Sequence, residues 1–285
     1  MSTDLVKSEI LRFLGTSTPE TLCIKGKWGV GKTFSWKQYL QEASRTTTGI
    51  ALERYAYVSL FGMNSLDELR YSIFEGTVKK DQVNKNANLQ TLKSTMESME
   101  SFGRKSAWII GLLPGSKNYL GAAAPAFFMS VRNQIVCIDD LERKGSKLDS
   151  ADVLGLISFL KEERSCKVVL LLNDEALDNI DREKFDKYLE KVIDVSLAFA
   201  PSSSECVDIA LPNRDAVSAR VSELCIKLGV KNIRVIRKIE TAIRSIQLIL
   251  KEFDEEVFTQ AASSLALFGW AHFRSEERRV GKECA

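Results

Sequence analysis

Residues 26–33 read Gly-Lys-Trp-Gly-Val-Gly-Lys-Thr, and no other stretch of the chain restricts its fold so sharply. The spacing is that of a P-loop, G-x-x-x-x-G-K-[ST]. Its glycines let backbone N–H groups curl round phosphate oxygens where side chains would clash. A helix starting at the end of the loop adds its positive terminus. Such a loop needs a strand before it and a helix after it, and the flanks agree. The apolar run Thr21–Lys25 reads as a strand and Thr33–Glu42 as a helix. In that setting Gly26, Lys27, Trp28, Gly29, Val30, Gly31, Lys32, Thr33 and Phe34 are candidate nucleotide-binding residues. Lys32 is placed to reach the β- and γ-phosphates, and the Thr33 hydroxyl to ligate Mg2+. Trp28 and Trp36 flank the loop, either to stack on a base or to pack against the sheet.

Two further strands carry polar residues at their ends. Ile135–Ile138 is a continuous apolar run that delivers Asp139 and Asp140, followed by Leu-Glu-Arg143. Alone, such a pattern marks a strand end with a helix cap. Downstream of a P-loop it fits a Walker B strand, with Asp139 on the metal and Asp140 orienting the attacking water. Val168–Leu172 leads into Asn173 and Asp174, where Asn173 either senses the γ-phosphate or caps the next helix. Runs this apolar suit strands buried on both faces of a parallel sheet. Ligands of such sheets gather at the carboxyl ends of the strands, where all these groups sit. Val168–Leu172 is expected to lie between the other two strands, as in additional-strand ATPases. No N/T-K-x-D loop for guanine occurs, so ATP is the expected nucleotide.

The rest of the chain supplies the layers. Val6, Ile10, Phe13 and Leu14 make an amphipathic helix over 3–14, and Tyr55–Leu60 a second strand. Ser65 is expected to cap a helix through Phe74, with Glu68 completing a capping box. Val153, Leu154, Ile157 and Leu160 mark another helix, and Lys191–Leu197 a further strand. Pro201, three serines and Pro212 read as a linker, after which apolar stripes at Val217–Leu228 and Ile236–Leu250 are helical. The expected fold class is α/β, a parallel P-loop sheet sandwiched by helices and followed by a helical lid. Its division is a core over 1–200 with an insertion at 76–131, and an incomplete lid over 201–273. Within the insertion, residues 107–131 are apolar but broken by Pro114, Ser116, Lys117 and Asn118. Each piece falls short of the roughly 20 residues of a membrane span. They read as a buried loop and helix, with a membrane hairpin as the alternative.

Composition removes several other chemistries. Forty Lys and Arg against 38 Asp and Glu give a net charge of +2, no electrostatic case for nucleic acid. A single histidine, His272, leaves no His-rich metal site and argues against a Ser-His-Asp mechanism. The six cysteines have no CxxC spacing, and the start, MSTDLVKSEI, lacks a signal peptide's basic and apolar regions. Cys166 and Cys206 lie in polar surroundings, without a partner that would make either a nucleophile. The expected location is cytoplasmic, or membrane-associated if residues 107–131 dock. Residues 274–284, RSEERRVGKEC, resemble the in-frame translation of a common sequencing adapter and interrupt the apolar stretch Ala261–Phe273. Residues 274–285 are therefore read as a non-native tail on a chain that naturally continues past Phe273. Removing them leaves the charge balance near zero.

The chain resembles the KAP family of P-loop NTPases, additional-strand ATPases akin to the STAND and AAA+ groups. The resemblance is carried by GKWGVGKT (26–33), YVSLFG (57–62), IVCIDDLER (135–143), LLLND (170–174), KYLEKVID (187–194) and NIRVIRKI (232–239). It implies an ATP-binding α/β core with a helical lid, in a largely prokaryotic group linked to phage exclusion and signalling. It also implies that Arg143 shapes the nucleotide site, that Lys191 lies near it, and that Arg234 senses the γ-phosphate from the lid. Relatives often carry transmembrane helices in the interval of residues 107–131. The family's acid pair usually continues as DLDR, so Glu142 stands where a second Asp is common. The resulting expectation is Mg2+-dependent ATP hydrolysis that switches the lid. Its catalytic groups are Lys32, Asp140, Arg143 and Asn173, its metal ligands Thr33 and Asp139. The alternative is a nucleotide-gated binding module with negligible turnover. Self-association is left open, and the effector is unnamed by the sequence.

Overall fold

The computed structural model describes residues 3–45, 49–80, 128–177, 179–213 and 215–283, with side chains in the last stretch as far as Phe273. In chain order the elements are α1 (Thr3–Gly15), β1 (Thr21–Lys25), α2 (Lys32–Ser44), β2 (Arg54–Ser59), α3 (Leu66–Glu75) and β3 (Thr77–Lys79). There follow β4 (Ile135–Asp139), α4 (Ser150–Glu162), β5 (Lys167–Leu172), α5 (Asn179–Val192) and β6 (Val195–Ala198). Helices α6 (Ser203–Ala210), α7 (Ala216–Lys227), α8 (Ile233–Ile249) and α9 (Glu255–Glu283) complete the chain. The backbone of α9 runs through much of the stretch read as a tail. Most of the expected insertion, including residues 107–127, lies outside the described residues.

The strands form one sheet in the order β3-β2-β4-β5-β1-β6. All neighbours are parallel except β3, which pairs antiparallel with β2 at the edge. As expected, β5 lies between β4 and the P-loop strand β1. Its six residues are all buried, as a central parallel strand covered on both faces requires. Alternate residues enter opposite cores. Val136, Ile138, Val168 and Leu170 face Leu69, Ile73, Val153, Ile157 and Phe185 of α3, α4 and α5. Ile135, Cys137, Val169 and Leu171 face Phe13, Leu14, Trp36 and Leu40 of α1 and α2. A third core joins α6, α7, α8 and α9 through Cys206, Val221, Ile236, Ile243 and Ala266. Cys23 and Cys166 lie in the first core, Cys137 in the second, and Cys206 and Cys225 in the third, all fully buried.

Four expectations change. Lys191 and Val192 end α5, and the last strand begins only at Val195. The stretch read as a linker contains α6, held by a reciprocal capping box between Ser202 and Glu205 and by buried Cys206, Val207 and Ala210. Ser65 does cap α3, but Glu68 accepts from the N–H of Asn64 at 2.9 Å, so that box does not close on Ser65. Cys166 and Cys206, expected in polar surroundings, are core residues. Among the described residues, no helix is long and apolar enough to cross a membrane.

Candidate functional site

The loop between β1 and α2 is built by close backbone approaches. Gly26 donates to the Leu172 carbonyl at 3.1 Å, and a Cβ on it would lie 2.5 Å from the Phe199 carbonyl oxygen. Gly29 and Gly31 adopt φ of 76° and 98°, the left-handed region that glycine enters without steric cost. Lys32 opens α2, nearly buried, and donates from Nζ to the carbonyls of Gly26 at 2.5 Å and Lys27 at 3.1 Å. An ammonium has three donors, so one remains for a ligand. Burial pushes the Lys32 pKa down, against the pull of Glu142, Asp139 and Asp140.

Across β5, the end of β4 faces this loop. The Thr33 hydroxyl donates to Asp139 Oδ2 at 2.6 Å, and Tyr57 OH donates to the same oxygen at 2.9 Å. Burial raises the Asp139 pKa, while the Thr33 and Tyr57 bonds favour its charged form. Asp140 then takes a left-handed conformation, φ 61°, which reverses the chain into the turn Leu141–Arg143. Its Oδ2 accepts from Ser59 Oγ at 2.6 Å, and its Oδ1 lies 3.8 Å from the Arg143 guanidinium. Arg143 also lies over the Phe61 ring, 4.1 Å from its centroid. Glu142, absent from the expected site residues, turns back to the P-loop, where Trp28 Nε1 donates to its Oε1 at 2.7 Å. Its other oxygen is buried. Burial raises the pKa of this carboxyl, while its own backbone N–H, Trp28, the Asn173 backbone N–H and Lys32 pull it down.

Helix α8 closes the site from the far side. Ile233 N–H donates to the Gly29 carbonyl at 2.8 Å, so the helix starts directly on the P-loop. Asn232 caps it, accepting from the N–H groups of Arg234 and Val235 at 3.0 and 3.3 Å. Between loop, turn and helix is a cavity of about 220 Å3 whose wall includes Lys32, Thr33, Asp139, Asp140, Glu142 and Arg234. Trp28, Gly29, Gly31 and Phe34 line it too, and Arg237 lies over the Phe34 ring at 5.9 Å. Lys27, Trp28 and Val30 also wall a second cavity of about 290 Å3, against Val230 and Trp270.

Other expected residues fall elsewhere. Asn173 is buried at the end of β5, without side-chain capping and with Oδ1 lacking a hydrogen-bond partner. Lys191 is exposed on the last turn of α5 and is not part of the cavity wall. Trp36 is fully buried, donating to Tyr55 OH at 2.9 Å, and so packs rather than stacks on a ligand. Glu142 was legible only as an acid three residues beyond Asp139. Its contact with Trp28 spans 114 positions and has no local signature.

The donor set suits phosphate and a hard cation. Glycines at 29 and 31 open the backbone, a buried ammonium keeps a free donor, and a hydroxyl sits beside a carboxylate. No group of three or more His, Cys, Asp or Glu that could hold a metal occurs among the described residues. Mg2+ requires none, because it keeps waters and phosphate oxygens alongside one or two protein ligands.

One solved structure shares the architecture, and others match more loosely. The chain is similar to the Aeropyrum pernix ORC2 protein in its ADPNP-ADP complexes, at 16% identity and TM-score 0.54, over 91% of this chain and 66% of that one. It thus spans less than two thirds of that protein. Domain III of the Thermotoga maritima replication initiation protein DnaA matches at 14% identity and TM-score 0.47, over 95% and 92% of the two chains. A point variant of Thermotoga maritima RuvB matches at 10% and 0.44, over 93% and 67%. At 16% identity the likeness to the ORC2 protein is one of fold alone. No curated protein matches. The model of the KAP family P-loop domain matches residues 4–255, most of the sequence, from α1 to the start of α9. The chain belongs to the KAP family of P-loop NTPases.

Proposed function

We propose that the chain binds ATP with Mg2+ in the cavity between the P-loop and α8 and hydrolyses it, so that hydrolysis switches the seat of α8. The observation that carries this reading is the 2.6 Å contact of Thr33 with Asp139, beside a buried Lys32 that keeps one free donor. Lys32 holds the β- and γ-phosphates, and Arg234 approaches the γ-phosphate from the N-terminus of α8. Thr33 and Asp139 hold Mg2+, which when bound offsets charge on the phosphate oxygens. An acid of the segment Asp139–Glu142 takes the proton of the attacking water, and Asn173 stands behind it at the end of β5. The coupling to α8 follows from Gly29, whose carbonyl holds Ile233 within the same loop that receives phosphate. The role expected from the family resemblance is prokaryotic phage defence or signalling.

The test is nucleotide-dependent thermal shift with ATP, ADP and GTP in Mg2+, on the wild type and on Lys32→Ala. ATP is expected to stabilise the wild type more than GTP does, and neither to stabilise the variant. A variant that binds ATP as tightly as the wild type overturns the site. A larger shift with GTP overturns the choice of base. Steady-state release of phosphate then separates an enzyme from a slow switch.

A further inference from the structure

Two acids follow Asp139 in the turn, and the chain aims them differently. Asp140, the nearer in sequence, leaves the strand in a left-handed conformation. A non-glycine residue held there costs of order 1 kcal/mol or more, and such strain persists where the surroundings impose it. The reversal points the Asp140 carboxylate at β2, where Ser59 donates to one oxygen and Arg143 faces the other. The same reversal brings Glu142 back to the P-loop. Trp28, third residue of that loop, donates to Glu142 Oε1 at 2.7 Å, and Glu142 is part of the cavity wall. Glu142 is also the foremost acidic charge acting on Lys32, ahead of Asp139 and Asp140.

Resting on the ATP-hydrolysis reading above, we infer that Glu142 is the group that takes the proton of the attacking water, and that Trp28 is the positioning residue that aims it. In the step, the water oxygen bonds to the γ-phosphorus as the bond from that phosphorus to the β–γ bridging oxygen breaks. The water proton passes to the Glu142 carboxylate, and ADP leaves with the bridging oxygen. Asp140 serves as a brace that locks the turn against β2. A carboxylate is a competent acceptor here because it stands in the cavity wall, held by Trp28 and close enough to Lys32 to act on its charge. Trp28 supplies the rigidity, since an indole N–H donates in one direction only.

The test compares wild type, Glu142→Gln, Asp140→Asn, Trp28→Phe and the double variant W28F/E142Q. Glu142→Gln keeps an amide oxygen for Trp28 and loses the base. It is expected to bind ATP·Mg2+ about tenfold more tightly than wild type, because a negative charge near the phosphates is gone. Its kcat is expected to fall about a thousandfold. Asp140→Asn is expected to lose about tenfold or less, and Trp28→Phe to lower kcat about thirtyfold with KM unchanged. The double variant should be no slower than Glu142→Gln alone, as for residues that act through one group. Without nucleotide, Glu142→Ala should change the tryptophan emission of the wild type but not that of Trp28→Phe. Wild-type turnover in Glu142→Gln, or a larger loss in Asp140→Asn, overturns the assignment of Glu142. Additive losses in the double variant overturn that of Trp28. A wild type that binds no nucleotide overturns the ATP reading itself, and with it this step.

Discussion

Gly29→Ala is a perturbation whose cost can be worked from two separate sources. Gly29 sits at φ 76° and Gly62 at φ 75°, so alanine at either place pays nearly the same backbone strain, about 1 kcal/mol. At Gly62 the new methyl meets nothing within 4 Å. At Gly29 it would lie 2.2–2.4 Å from the Asn232 side-chain amide, which must move. That amide is the cap of α8, worth about 1 kcal/mol, and the neighbouring bond from Ile233 to the Gly29 carbonyl adds about 1 kcal/mol. The expected losses are therefore about 3 kcal/mol for Gly29→Ala against about 1 for Gly62→Ala. At about 2–4 °C per kcal/mol in chains near this size, Gly29→Ala should melt about 6 °C or more below wild type, and Gly62→Ala about 2–4 °C below. Replacing Asn232 by Gly in the Gly29→Ala background removes the clash, and a glycine cap costs only a few tenths. The double variant should then return close to Gly62→Ala. Calorimetric melting of the four proteins without nucleotide decides it. Equal losses at Gly29 and Gly62 would refute the seat of α8 on the P-loop.

Two expectations concern pH. Phosphate raises the pKa of the Lys32 ammonium that burial has lowered, so affinity is full below the free-protein value and lost as pH rises through it. ATP dissociation constants measured across alkaline pH should weaken before the ordinary lysine value of 10.5, and a flat profile up to that point would remove Lys32 from the phosphate site. The second concerns Glu205, whose carboxyl is held down at about 2 by Thr3 and by the capping bonds of Ser202. Its contribution is full above the unfolded value of 4.5 and lost as pH falls through about 2. Urea midpoints of Glu205→Gln and wild type should therefore differ at neutral pH and converge in acid.

The sheet was legible because its strands are apolar on both faces, a pattern that needs no partner to be recognised. Thr21–Lys25, Ile135–Asp139 and Lys167–Leu172 each carry it, and the P-loop gave their order a meaning. Segments whose signals are short read less well. At residues 200–212 the prolines and serines look like a linker, yet Ser202 and Glu205 hold the capping pattern that starts α6. The mixed run Lys191–Leu197 divides between a helix end and a short edge strand, because edge strands need little apolar sequence. In the site, residues adjacent in sequence were found by spacing. The seat of Ile233 on Gly29 and the bond of Trp28 to Glu142 were not, since each joins elements that only the tertiary fold brings together.

The distribution of cysteines has a practical consequence. Each of the three cores holds at least one fully buried thiol. Burial lifts Cys23 and Cys225 to about 12 and Cys166 and Cys206 to about 11, and Cys137 well above its usual value. Alkylating reagents attack the thiolate, so in the native chain these groups are shielded by both access and ionisation. Each can react only when its own layer opens. Timed alkylation followed by peptide mass analysis would thus clock the two faces of the sheet and the C-terminal helices separately. The chain carries three independent stopwatches, and no label has to be engineered to read them.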